Sequence, residues 1–115
     1  MAFKLTTTPT FGARVTVETL NERGVIEKSQ FLAIFTRYTV TQLEELKARW
    51  LSEGKDDPCW LARQVLVGWK ELVADDGTVA EFNEENKAVL LQIPPAVAAL
   101  QAAFWDNVIT SRAKN

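Results

Sequence analysis

The sequence contains no histidine, and that absence removes more chemistry than any feature present supplies. Ser-His-Asp and Cys-His nucleophile systems, His-ligated zinc and the usual proton shuttle near neutral pH all need an imidazole. Cysteine occurs once, as Cys59, so neither an internal disulfide nor a cysteine-rich metal cage can form. Cys59 stands near an expected helix start, where a thiol pKa can fall, but it has no imidazole to act as its base. It reads as a small buried hydrophobe. Neither charge sign is in large excess. Thirteen Lys+Arg against 15 Asp+Glu leave a net charge of -2, without the basic stripe expected of a binder of nucleic acid or anionic membrane. No apolar run approaches the roughly 18 residues that suggest a bilayer span. Met1-Ala2-Phe3-Lys4-Leu5 lacks the apolar core of a signal peptide, so the expected location is the cytoplasm of the cell that makes the protein.

What remains is a chain of 115 residues, 47% of them hydrophobic. Residues 1–115 have the length of one domain and can bury enough surface to fold without a metal or a disulfide. The expected class is α+β: an N-terminal antiparallel β-hairpin packed on a mainly helical C-terminal part of about four helices. Residues 1–11 are threonine-rich with Pro9 and are expected to form a flexible arm. Residues 12–38 carry the hairpin. Val15 and Val17 alternate with Arg14, Thr16 and Glu18, the period of a half-buried strand. Asn21-Glu22-Arg23-Gly24 supplies the turn. On the second strand Phe31, Ala33 and Phe35 share one face while Leu32, Ile34 and Tyr38 share the other, so both faces should be covered, or one should be partly covered by a partner chain.

Residues 41–112 form the expected helical part. Thr41-Gln42-Leu43-Glu44 has the form of a capping box. Leu43, Leu46, Trp50 and Leu51 follow at helical spacing, and Gly54 stops the helix. A second helix is expected from Pro58, behind an Asp57 cap, to about Val67. Asp75-Asp76-Gly77 marks a tight loop or small hairpin. Asn83 caps a third helix whose first turn holds Glu84 and Glu85, with Ala88, Leu90 and Leu91 on its apolar side. Ile93-Pro94-Pro95 breaks the chain, and a last helix is expected from Pro95 to about Arg112.

Two clusters invite a chemical reading. Glu71, Asp75, Asp76, Glu81, Glu84 and Glu85 lie close in sequence, but Asp75-Asp76-Gly77 does not have the ligand spacing of an EF-hand loop. A solvated turn before a helix N-terminus accounts for them. A pair of carboxylates for glycoside hydrolysis has no accompanying sign of a sugar cleft. No catalytic residue, metal ligand or cofactor is therefore expected.

The second cluster is aromatic. Trp50, Trp60, Trp69 and Trp105 are many for this length, and each is either core or an anchor for a partner. On the last helix Val97, Leu100, Phe104 and Val108 form one seam, with Trp105 and Ile109 about 100° round the helix. Phe104, Trp105, Val108 and Ile109 are accordingly the expected partner-binding residues.

One segment carries a resemblance. Val65-Leu66-Val67-Gly68-Trp69 is followed by Val73-Ala74-Asp75-Asp76-Gly77, then Phe82-Asn83-Glu84-Glu85-Asn86, Leu90-Leu91 and Pro94. This order resembles the tail assembly chaperones of long-tailed phages and prophages. The Phe31–Tyr38 strand and the polar end Ala113-Lys114-Asn115 fit the same pattern, which covers the chain from about Phe31 onward. The resemblance implies a non-enzymatic protein of the host bacterial cytoplasm. It would bind the tape measure protein during tail assembly, with the tail tube protein and further copies of the chain as other candidate partners and no nucleic acid or membrane involved. The alternative is a small phage-encoded inhibitor that meets a host defence or regulatory protein through the acidic segment Glu71–Glu85.

Overall fold

A computed structural model describes residues 2–5, 7–74 and 76–108. Strand β1 (Thr10–Leu20) pairs antiparallel with β2 (Ile26–Thr36) in unbroken register from Thr10 opposite Thr36 to Leu20 opposite Ile26. The turn between them is built by Asn21. Its side-chain oxygen accepts from the amides of Arg23 and Val25, and its carbonyl accepts from Gly24, which sits at φ 78°. That left-handed conformation suits glycine. The expected arm is shorter than residues 1–11, because Thr10 and Phe11 already belong to β1. Phe11 holds them there: its ring lies 5.6 Å from that of Phe35 and 6.3 Å from that of Phe104.

Period two does what it should. Ala13, Val15, Phe31, Ala33 and Phe35 are buried on one face of the sheet. The opposite face of β2 is less covered than expected, with Leu32 and Ile34 only half-buried. Beyond Phe31 the hairpin runs on as an exposed two-stranded ribbon that ends in the exposed Leu20, Val25 and Ile26.

Helix α1 (Val40–Arg49) starts two residues before the expected point. Thr39 is its cap: the hydroxyl accepts from Gln42 N–H at 3.1 Å, and the Gln42 side chain accepts from Thr39 N–H at 3.0 Å. Both Thr39-x-x-Gln42 and Thr41-x-x-Glu44 satisfy the capping-box pattern, and the frame used is the one next to the end of β2. After Arg49 the helix widens into a π turn, Trp50–Gly54. Gly54 is buried because a Cβ there would lie 2.5 Å from the Trp60 ring.

Helix α2 (Trp60–Val65) is shorter than expected. The residues read as its last turn instead form strand β3 (Leu66–Lys70), which pairs antiparallel with β2 and completes a sheet of order β1-β2-β3. Leu66 and Trp69 are buried within the core, and Gly68 leaves room for the Ile34 side chain across the ladder. A short apolar run without clear period takes the state that tertiary packing offers, here an open edge of β2. Val67 is the extra residue of a bulge between Phe35–Leu66 and Ile34–Gly68.

Helices α3 (Glu84–Leu90) and α4 (Pro94–Val108) meet at 101° across the expected break. Helix α4 lies against β1 and buries Ala96, Val97, Leu100 and Phe104. Together they give the expected α+β arrangement of an N-terminal antiparallel sheet and four mostly C-terminal α-helices.

Candidate functional site

The segment that carries the resemblance folds into a corner held by its own side chains. Trp69 Nε1–H donates to the carbonyl of Ala80 at 2.7 Å, and its ring meets Phe82 edge-on at 4.8 Å. Between them, Val73 and Val79 form a bridge around a turn in which Asp76 Oδ1 accepts from both the amide and the hydroxyl of Thr78. Those two bonds hold the Asp76 carboxyl below its ordinary pKa. Gly77, at φ 84°, closes the turn. Asn83 caps α3 by accepting from Asn86 N–H at 2.7 Å, and the Asn86 amide group donates back to Glu81 O at 2.8 Å. Leu90 and Leu91 then enter the core. Each of these contacts is internal to the fold.

The acidic residues of the same stretch are largely taken up locally. Glu71 pairs with Arg14 at 2.6 Å across the outer face of the sheet, which lowers its carboxyl pKa. Glu84 and Glu85 occupy the first turn of α3, where the helix dipole favours them. Asp75 lies outside the described residues. Among the described residues no group of three or more carboxylates or thiols could hold a metal ion. Cys59 is half-buried and its thiol donates to Leu91 O at 3.3 Å.

A surface concavity lies on the helical part. Helix α1 and its π turn, the start of α2 and one side of α4 enclose a groove of about 640 Å³. Its apolar lining comes from Leu46, Trp50, Pro58, Leu61, Ala102 and Trp105. Trp50 is 41% exposed, whereas Trp60, ten residues on, is 5% exposed. They lie on different elements, the π turn and α2, separated by residues 55–59. Trp60 packs on the Gly54 backbone under the Arg49 guanidinium, 5.4 Å from its ring, and Trp50 is left facing the groove. Gln101 ties the two walls together by accepting from Ala62 N–H at 3.2 Å.

The rim has a sign. Lys47 and Lys55 stand at the groove, with the Lys47 ammonium 5.9 Å from the centre of the Trp105 ring. The carboxylate there, Asp57, is engaged by Arg63 and by the amide of Cys59. The cavity therefore pairs an aromatic and aliphatic floor with a net basic edge.

The four expected partner-binding residues separate. Trp105 reaches the groove, half-buried, with its ring edge-on to Phe104 at 5.1 Å. Phe104 does not: it is fully buried among Phe11, Phe35 and Tyr38 and is part of the core. The seam of α4 points inward, with Ala96, Val97, Leu100 and Phe104 all buried. Val108 is half-buried against the same core, near Tyr38 and Thr39. Ile109 lies outside the described residues, as does the expected end of the helix at Arg112. Trp50, Leu46 and Leu61 were not expected to line a site with Trp105. Their sequence signal, apolar residues in amphipathic helices, is the same as that of core residues. No family model, curated protein sequence or solved structure matches this chain.

Proposed function

We propose that the protein is a non-enzymatic binding module that holds an apolar helical segment of another protein, the role of a phage tail assembly chaperone toward the tape measure protein. The observation that carries this reading is the groove between Trp50 and Trp105. Apolar grooves of this kind receive the hydrophobic face of an amphipathic helix, and tryptophans are frequent anchors of such contacts. The lysine rim favours a segment whose apolar stripe is flanked by acidic residues. The resemblance of Val65–Pro94 motivates the choice of partner, while its residues build the corner of β3 and α3 rather than the groove itself. The alternative of an inhibitor that acts through its acidic segment draws less support, because Glu71 is paired and Glu84 and Glu85 serve α3.

The test is co-expression with the product of the longest helix-rich open reading frame neighbouring the gene. The expected result is co-purification that is lost in Trp50→Ala and in a Lys47→Glu, Lys55→Glu double variant, both remaining folded. Co-purification unaffected by these changes would remove the groove from the reading. No association with that product would remove the chaperone role.

A further inference from the structure

We propose that β1 pairs antiparallel with β1 of a second copy of this chain, centred on Thr16, so that Arg14 of each copy faces Glu18 of the other. This inference is independent of the groove and of what fills it.

The backbone of β1 leaves half its hydrogen-bonding groups facing outward. Arg37 N–H donates to Pro9 O at 2.9 Å and Asn21 N–H to Val25 O at 3.0 Å, which places the hydrogen-bonded pairs of the β1–β2 ladder on odd residues of β1. Hydrogen-bonded and non-hydrogen-bonded pairs alternate in an antiparallel ladder. Gly12, Arg14, Thr16, Glu18 and Leu20 therefore turn their N–H and C=O groups away from β2. Among the described residues no backbone partner meets them.

The two edges of the sheet are treated differently. The β3 edge is five residues long, bulged at Val67, and the Lys87 ammonium covers the carbonyl of Leu66 at 2.9 Å. Short length, a bulge and a lysine are the usual protections of an edge strand. The β1 edge is 11 residues long, has no proline, and keeps unbroken register throughout.

The side chains of β1 select one register of self-pairing. With Thr16 opposite Thr16, the oppositely charged Arg14 and Glu18 come opposite each other twice, once on each side of the twofold axis, Arg14 then lying between Glu71 of its own chain and Glu18 of the other, and Glu18 between Lys28 and Arg14. Val15 meets Val17 on the inner face. Leu20, 69% exposed in the single chain, comes beside Gly12, whose missing side chain leaves room next to Leu32 and Ile34. Centring the pair on Arg14 or on Glu18 would set like charges opposite each other, which is destabilising. Centring it on Val15 or Val17 keeps the faces but sets Thr16 opposite Arg14 or Glu18, so that Arg14 and Glu18 no longer meet. The contact is isologous and closes as a dimer. It also supports the hairpin ribbon beyond Phe31, since two-stranded ribbons are marginal alone.

Sedimentation equilibrium on the full chain tests the pairing. The wild type should be dimeric at micromolar concentration. Thr16→Pro should be monomeric with an unchanged circular dichroism spectrum, because that N–H points away from β2 and is not part of the intrachain ladder. Arg14→Glu should weaken association by about tenfold or more, and adding Glu18→Arg should restore it. The charge-reversal pair keeps the test decisive if the proline variant fails to fold. A wild type that stays monomeric into the high-micromolar range would overturn the proposal. So would a dimer indifferent to Arg14→Glu, or one that the second reversal does not restore.

Discussion

The four tryptophans fall into two pairs that look alike in sequence and differ in the structure. Trp60 and Trp69 are 5% and 8% exposed, and both are locked by neighbours: Trp60 by the bare backbone of Gly54, Trp69 by its bond to Ala80 and the edge of Phe82. Trp50 and Trp105 face each other across an open groove with lysines at its rim. Trp50, Trp60 and Trp105 lie on helical turns and Trp69 on strand β3. A tryptophan becomes core when a small residue or a backbone acceptor opposite it completes its surroundings. It becomes surface when the fold leaves that side unfilled.

The contrast predicts a graded set of effects. The largest belongs to Trp69→Ala, which removes a buried ring and leaves Ala80 O without its donor. Thermal unfolding should show a loss of about 3–5 kcal/mol. An effect below about 1 kcal/mol would place Trp69 with the groove residues instead. Next comes Gly54→Ala, which drives a methyl into the Trp60 ring, with an expected loss of about 1–3 kcal/mol. Denaturant titration checks it, and an unchanged midpoint would mean that the π turn can relax away from Trp60.

Asn83→Ala should cost about 1 kcal/mol through loss of the α3 cap. Hydrogen exchange should localise the change to Glu84–Leu90, because the corner is held bond by bond. The smallest effect concerns pH. The Thr78 bonds hold the folded Asp76 carboxyl below its unfolded value. Its contribution is therefore present above the ordinary aspartate range and lost as the pH falls through the folded value. A carbon-detected NMR titration should find the Asp76 midpoint below the ordinary aspartate value and closer to it in Thr78→Val. A midpoint at the ordinary value in the wild type would mean that the turn is open in solution.

Much of the fold was legible because local chemistry and packing agree. Alternation of Val15 and Val17, the Asn21–Gly24 turn, the Asn83 cap and the Ile93–Pro94 break each have a local physical cause, and each stands where that cause puts it. Strand β3 was not legible, since Leu66–Lys70 has neither clear period nor flanking turn chemistry and takes its state from the edge of β2. The expected start of α1 lies two residues late, at Thr41 rather than Thr39, because two capping-box frames overlap there. The groove was half legible. Trp105 was expected at a binding surface, but Phe104 lies on the sheet side of α4 and Trp50, on the π turn, is brought opposite Trp105 by tertiary packing.

Trp50 gives the most direct test of the central claim, because Trp105 also braces Phe104 and its loss would mix folding with binding. The measurement is the affinity of Trp50→Ala for the co-expressed helix-rich partner, taken together with the melting temperature of the variant alone. The account predicts an affinity at least about tenfold weaker, equivalent to 1.4 kcal/mol or more, with a melting temperature nearly unchanged. A variant that melts well below the wild type yet binds the partner with undiminished affinity would contradict it, and would return Trp50 to the core.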